Sequence, residues 1–525
     1  MTHPRLVECM LCPDFYSQRP ETVELVQTHI SYVFIAGDEV YKVKKPVNFG
    51  FLDFTTPEKR KFYCGEEVRL NRRLAGDTYL GVAEIREEKA GGLSLSGDGP
   101  VVEYAVRMRR LPQERMLKGL LREGAVDISV MDDVARTIAA FHAAAETGGR
   151  IDEVGGIDTI RHNHDENFDQ TAKYRGVTVP AHQWTFIRDY VAFFMDRNRD
   201  LLLRRVAEHR IRDCHGDLHL EHICLAGEIV IFDCIEFNER FRFEDTAAEA
   251  AFLAMDLDYN GYPEWAEAFV KAYIRHSGDD DVQRLLNFYR CYYAFVRGKV
   301  VSFRLDDPAI DEEGRRDARE MAEKYFDWAY TYAARPERPA LILTTGLMGT
   351  GKSVVARQVA PRLDAVVIQM DALRKELAGL DPGEKRPEAF GSGLYSEDVS
   401  RKTYAAALDR ASEAIKAGRS AIIDGSYKRR EERLRALETA RSLGADFIVL
   451  ECRCDEEKVR QRLESRQSET GEPSDGRWEI FRQQQADYDA VCELPKECHA
   501  LVETDVSPAE AADRALRRLR FPEGG

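Results

Sequence analysis

No stretch of this chain approaches the roughly 20 consecutive apolar residues that a membrane-spanning helix needs. The opening MTHPRLVECMLCPDF lacks the basic segment and apolar core of an export signal. The expectation is a cytoplasmic protein with no membrane partner. Paired cysteines are also scarce: the eleven are scattered, with one close pair, Cys9 and Cys12, and no second pair to complete a tetrahedral zinc site. Incidental thiols of a reducing compartment are the reading that remains. Positive charge is in deficit, at -16 overall. From Arg335 onward 32 Lys and Arg face 34 Asp and Glu, so -14 of that charge lies in residues 1–334. The first part repels nucleic acid, whereas the second is neutral enough to carry a local basic groove. Repeats and low-complexity tracts are lacking too, which excludes solenoids and disordered linkers.

At 525 residues the chain is too long for one hydrophobic core, and two large domains are expected. The natural cut is Ala334-Arg-Pro-Glu-Arg-Pro339, where two prolines and three charges separate a helical segment from the strand-like LILTT. This gives domains 1–334 and 335–525. In the first, THISYVFI, a turn at Gly37-Asp38 and VYKVKK read as a hairpin, with Val40, Lys42 and Lys44 on one face and Tyr41 and Val43 on the other. Helices are expected over about Pro57 to Leu74 and Val130 to Ala145, and again from Asp245 to Tyr332. In the second, strand and helix alternate through LILTT, VVIQM, AIID and FIVLE, the pattern of a parallel sheet covered on both faces.

The run Gly346-Leu-Met-Gly349-Thr350-Gly351-Lys352-Ser353 satisfies G-x-x-x-x-G-K-[ST] between a strand and a helix. Small residues let backbone N–H groups wrap a phosphate at the helix N-terminus, Lys352 reaches the terminal phosphates, and Ser353 ligates magnesium. The next strand leads into Asp371 and Arg374, where a carboxylate can accept a hydroxyl proton and a guanidinium can hold an anionic group of the acceptor. Asp371 can equally serve as a helix cap. Asp424 closes the third strand at the same edge, suited to a magnesium water. Arg460, Arg462 and Arg466 follow FIVLECRC; the latter two share a helical face and are candidates for a lid over transferring phosphate.

A second string, CHGDLHLEHIC over Cys214 to Cys224, precedes the apolar strand Ile229 to Phe232 that ends on Asp233. Asp217 on a loop and Asp233 at a strand end supply what phosphoryl transfer requires, one acid to orient the acceptor hydroxyl and one to hold magnesium.

Residues 340–520 resemble the P-loop kinases that include polynucleotide 5′-kinases, zeta toxins and gluconate kinases. The resemblance implies that Asp371 and Arg374 match the D-x-x-R of the polynucleotide kinases, as general base and phosphate contact, and that Arg462 and Arg466 match the lid arginines. Asp424 is followed by Gly-Ser and not by the Glu of a motor ATPase, which argues against mechanical work. Roughly residues 20–300 resemble the aminoglycoside phosphotransferases and other protein-kinase-like small-molecule kinases. Carried over by position, Lys42 pairs the nucleotide phosphates, with Lys44 the alternative, and Glu66 or else Glu67 holds that lysine. Asp217 is the catalytic acid/base, Asp233 the metal ligand and Asp245 a brace for the catalytic loop, while Met108 to Leu111 lie near the adenine. The family's H-G-D-x-H-x-x-N ends here on His222, a weaker magnesium ligand than asparagine, and the hairpin lacks a glycine-rich phosphate cover.

As a whole the chain resembles bacterial fusions of an aminoglycoside phosphotransferase-like domain with a P-loop ATP-binding domain. The implied fold is an α+β protein-kinase-like domain followed by an α/β P-loop kinase domain. The implied function is a bifunctional phosphotransferase using ATP or GTP and Mg2+ on hydroxyl-bearing small molecules, with a nucleic-acid 5′ end the less favoured acceptor. The rival readings are an N-terminal pseudokinase that senses a ligand and regulates the C-terminal kinase, and a 5′-OH polynucleotide kinase with an accessory domain.

Overall fold

The computed structural model describes residues 4–88, 92–381, 393–467 and 478–521, the side chains of residues 4, 466, 467, 479 and 480 excepted. The chain divides into two compact units, Met1–Tyr174 with Phe194–Tyr325, and Arg175–Phe193 with Phe326–Gly525. A single cut before Arg335 follows from composition alone; packing instead adds the segment Arg175–Phe193 to the second unit. Its aromatic side chains explain the assignment, since Phe186 meets Tyr330 edge-on at 5.0 Å and Phe521 at 5.3 Å between ring centroids. Among the described residues no helix is long and apolar enough to cross a membrane.

The first unit opens with an antiparallel sheet of β1 (Val23–Gln27), β2 (Ser31–Ala36), β3 (Glu39–Lys44), β4 (Tyr79–Glu87), β5 (Leu93–Ser94) and β6 (Val101–Arg109), in the order β1-β2-β3-β6-β4-β5. The β2–β3 turn needs a left-handed residue, and Gly37 supplies it at φ +63°. Alternation along β3 sends Tyr41 and Val43 into a core with Phe34 and Ala105. Lys42 and Lys44 therefore face the helix Pro57–Ala75, which starts at Thr56 with its hydroxyl accepting from Lys59 N at 3.3 Å and Pro57 in the first turn.

Beyond the sheet this unit is mostly helical, with Val130–Ala144, Ile157–Thr171, Thr246–Tyr259 and Val282–Phe303 as its principal helices. Two short ribbons interrupt them. β7 (Ile211–Asp213) pairs with β10 (Phe243–Asp245), and β8 (Ile223–Ala226) with β9 (Glu228–Ile231). This is the α+β protein-kinase-like architecture, and the ribbons carry the HGDLH loop and Asp233.

The second unit is α/β and of the P-loop kinase type. Among its described residues five strands, β11 (Ala340–Thr345), β12 (Ala365–Gln369), β13 (Ser420–Asp424), β14 (Asp446–Arg453) and β15 (His499–Glu503), run parallel in the order β12-β13-β11-β14-β15. β11 and β13 are buried along their whole length, as strands covered on both faces must be. Gln369 pairs with Asp424 and Leu343 with Ile423, so β12 and β13 end beside the start of the glycine loop.

Candidate active sites

In the first unit a cavity of about 1740 Å³ is lined by Lys42, Asp217 and Asp233 together with the strand end Met108 to Leu111. Lys42 Nζ stands 2.9 Å from Glu67 Oε1 and 2.5 Å from Asp233 Oδ1. Burial works against the lysine charge, but Asp233 and Glu67 more than offset it and raise its pKa well above the ordinary value. Lys44 is the deeper of the two lysines and belongs to the scaffold, paired to Glu67 at 2.6 Å and to Glu236.

The structure corrects the choice of glutamate. Glu66 points away and pairs with Arg69 at 2.7 Å on the partly exposed side of its helix. One residue is about 100° of helical turn, so Glu67 faces the sheet where Glu66 cannot.

The HGDLH loop is shaped by its backbone. Gly216 has φ +83°, and a Cβ there would stand 2.7 Å from Phe241 O. Glu249 Oε1 accepts from both His215 N and Gly216 N at 2.7 Å, and its other oxygen meets His142 Nε2 at 2.7 Å. His142 Nδ1 in turn meets the Tyr273 hydroxyl at 2.7 Å.

The brace of the loop is thus Glu249 and not Asp245. Asp245 instead caps its own helix, accepting from Ala247 N at 2.8 Å, and binds Arg205 through both carboxylate oxygens.

Asp217 lies beside two imidazoles, 3.5 Å from His219 Nε2 and 3.7 Å from His222 Nδ1. Burial opposes its charge, but His219 and His222 outweigh burial and hold the carboxyl well below the usual carboxylate range. Asp233 adopts a left-handed backbone at φ +66°, unusual for a residue with a side chain, with its N–H donating to the Tyr79 hydroxyl at 3.2 Å. His222 completes the group, its Nε2 3.6 Å from Asp233 Oδ2. Lys42, Asp217, His222 and Asp233 are therefore brought together as the sequence suggests. Glu67, the alternative to Glu66, joins them, and Glu236, Glu249 and His142 are additions. A signal for Glu249 existed in its lone acid among the small apolar residues of TAAEAAFLA.

In the second unit the glycine loop joins β11 to the helix Lys352–Leu363. Gly346 and Gly349 hold φ +128° and +77°, and Cβ atoms there would come within 2.5 Å of Cys452 O and 2.9 Å of Val459 Cγ1. Gly351, at φ +86°, precedes the helix Lys352–Leu363, and Lys352 Nζ arches back to Leu347 O at 2.8 Å. Thr350 Oγ1 ties to the same carbonyl at 2.8 Å, and Ser353 sits half-buried in the first helical turn. Met348 N donates to Gln484 Oε1 at 2.7 Å, a contact from the helix Trp478–Ala486 that the sequence did not signal.

Asp424 accepts from Thr344 Oγ1 at 3.3 Å at the strand edge below the loop. Asp371 stands in the first turn of the helix Met370–Leu377, paired to Arg374 at 3.2 Å, with the Arg374 guanidinium 4.7 Å over the Tyr395 ring. Arg462 reaches the loop, 3.5 Å from Gly349 O and 2.6 Å from Thr504 O. Arg460 turns outward to Glu464. Arg466 lies on the same helix, Glu456–Gln467, but its side chain falls outside the described residues. Cys9 and Cys12 bear on neither site.

Residues 341–491 match the family model AAA_33, described as an AAA domain. Over 437 residues the chain is 33% identical to the uncharacterized protein Rv2004c of Mycobacterium tuberculosis, covering 82% of this chain and 83% of that one, and equally to Mb2027c of Mycobacterium bovis. Among solved structures, a choline/ethanolamine kinase family protein from Mesorhizobium loti is 12% identical, with 63% of this chain and 99% of that one covered at a TM-score of 0.37. A gluconokinase from Sinorhizobium meliloti is 20% identical, covering 35% of this chain and 94% of its own at a TM-score of 0.26.

Proposed function

The chain belongs to the family of the Mycobacterium tuberculosis protein Rv2004c, and on that footing we propose that it is a bifunctional ATP-dependent phosphotransferase, with one site in residues 1–334 and another in residues 335–525, each transferring phosphate to a hydroxyl group of a small metabolite. The observation that carries the reading is the convergence of Lys42, Asp217 and Asp233 on one cavity, with a second, separate phosphate cradle at Gly346 to Ser353.

In the first site Lys42 neutralises the nucleotide phosphates and Glu67 fixes its position. Asp217 accepts a hydrogen bond from the acceptor hydroxyl and takes its proton as the acceptor oxygen bonds to the γ-phosphorus and the bond to the β-phosphate oxygen breaks, releasing ADP. In the second site the loop amides and Lys352 hold the phosphates, Asp371 receives the acceptor proton, Arg374 holds an anionic part of the acceptor, and Arg462, with Arg466, covers the transferring group. His222 and Asp233 in the first unit converge as lone-pair donors that would hold a divalent cation, and Ser353 and Asp424 are the oxygen donors that would do so in the second; bound there, it would neutralise phosphate charge.

The direct Lys42–Asp233 pair favours a second reading for residues 1–334, a unit that binds nucleotide and transfers nothing. A screen of hydroxyl metabolites and 5′-OH oligonucleotides with labelled ATP decides between them. Asp217→Asn should remove one set of labelled products and Lys352→Ala the other. Products unaffected by Asp217→Asn would leave only the second site catalytic, and products unaffected by either variant would overturn the proposal.

A further inference from the structure

His222 points to the kind of cation the first site takes, an inference that rests on reading that site as a nucleotide site. The His222 ring is held on several sides. Its face lies 3.9 Å from the His219 ring centroid, and its carbonyl accepts from Phe232 N at 3.1 Å. Its Nδ1 stands 2.9 Å from the Asp217 carbonyl oxygen. A carbonyl only accepts, so Nδ1 carries the hydrogen and the neutral ring presents a lone pair at Nε2.

That lone pair faces Asp233 Oδ2 at 3.6 Å. The other oxygen of the same carboxylate, Oδ1, is taken by Lys42 at 2.5 Å. Two acceptors thus converge with no hydrogen between them, an arrangement that a cation relieves. Ligand atoms about 2.1 Å from a shared ion stand roughly 3.0 Å apart at the right angles of an octahedral site and about 3.4 Å apart at a tetrahedral angle. The observed 3.6 Å exceeds both, so a small closure of the two side chains seats an ion. Magnesium takes oxygen ligands in near-ideal octahedra, whereas imidazole nitrogen suits the later first-row ions.

We propose that His222 Nε2 and Asp233 Oδ2 form a mixed nitrogen and oxygen ligand pair that selects imidazole-binding divalent ions, of the cobalt, nickel and zinc class, over magnesium at the first site. The chemistry is that of a metal–nucleotide complex held partly by a protein nitrogen. The second site offers Ser353 and Asp424, both oxygen donors, and carries no such preference.

The test uses the full chain with paramagnetic Co2+ and the β,γ-methylene analogue of ATP, which has no nitrogen in its phosphate chain. Pulsed electron paramagnetic resonance should detect the nitrogen coupling of a directly bound imidazole, and His222→Asn should abolish it. Calorimetric titration with Co2+ and with Mg2+ should show the cobalt preference falling at least about tenfold in that variant. A wild-type spectrum without imidazole coupling, or an unchanged preference in His222→Asn, overturns the inference. Asp233→Ala separates the two levels. If it lowers the nucleotide stoichiometry while no imidazole coupling is seen, the first site binds nucleotide and only the metal assignment falls. If the stoichiometry does not change, the reading of the first site as a nucleotide site falls, and this inference with it.

Discussion

Glu67 Oε1 lies 2.9 Å from Lys42 Nζ while Glu67 Oε2 lies 2.6 Å from Lys44 Nζ, so one buried carboxylate divides itself between two strand lysines. Removing one member of a buried ion pair leaves an unpaired charge and costs about 3–5 kcal/mol. Glu67→Ala should therefore destabilise the first unit by about that much and weaken its nucleotide binding. Glu66→Ala breaks only a partly exposed pair and should change stability by less than about 1 kcal/mol. Urea unfolding and nucleotide titration of the two variants check the contrast, and equal effects would remove Glu67 from the site.

The same pair shows what the sequence could and could not disclose. Periodicity places the helix Pro57–Ala75 and the strand face of Lys42, but adjacent glutamates differ only in azimuth, which packing decides. The glycine loop was legible because its spacing is local and its backbone angles admit few residues. Glu249 stood out only as a lone acid in an apolar helix, and its role was not legible, since its partners His215 and Gly216 lie 34 and 33 residues away in the chain. Asp245 sits at a visible junction, yet a cap satisfies it there. The strands β4 to β6 went unsignalled because their pairing is non-local and their residues are largely half-buried.

Asp217 and Asp233 should fail in different ways. Asp233→Ala removes the partner of Lys42 and of His222 and should weaken nucleotide binding to the first site. Asp217→Asn should leave nucleotide affinity within about twofold and lower transfer at least about a hundredfold. Calorimetry paired with single-turnover transfer separates binding from chemistry, and a binding defect in Asp217→Asn would contradict the assigned roles.

Lys352 arches over the glycine loop, where its charge meets any phosphate seated on the loop amides. Lys352→Ala should weaken nucleotide binding at the second site at least about tenfold while helical content by circular dichroism stays unchanged. Full nucleotide stoichiometry in that variant would sink the assignment of the loop.

Asp371 has two available jobs, a carboxylate in the first turn of its helix and the general base proposed for the second site. The N-cap of that helix is Gln369 and not Asp371; loss of a first-turn carboxylate costs about 0.3–1 kcal/mol and need not touch chemistry, whereas loss of a general base costs about a hundredfold in rate. Asn at 371 retains an oxygen for Arg374 and for the helix terminus. A wild-type rate in Asp371→Asn would therefore make the residue structural, and a hundredfold loss with unchanged stability would make it the base.

The last expectation concerns acid stability and a residue outside the chemistry. His164 is 4% exposed, its Nε2 has no hydrogen-bond partner, and its ring is set among Phe168, Phe288 and Tyr292. Burial lowers its pKa to about 3 from the ordinary 6.5. The folded chain therefore refuses a proton that the unfolded chain accepts below about pH 6.5. The stability tied to the neutral ring is fully present above that value and is lost as pH falls toward about 3. At pH 5 the unfolded state has gained about 2 kcal/mol at this group, against almost nothing at pH 7.5. His164→Phe removes the titration and keeps the aromatic packing. The difference in unfolding free energy between the wild type and this variant should shift by about 2 kcal/mol in favour of the variant between pH 7.5 and pH 5. A difference that stays constant across those two pH values would show that His164 takes its proton in the folded state.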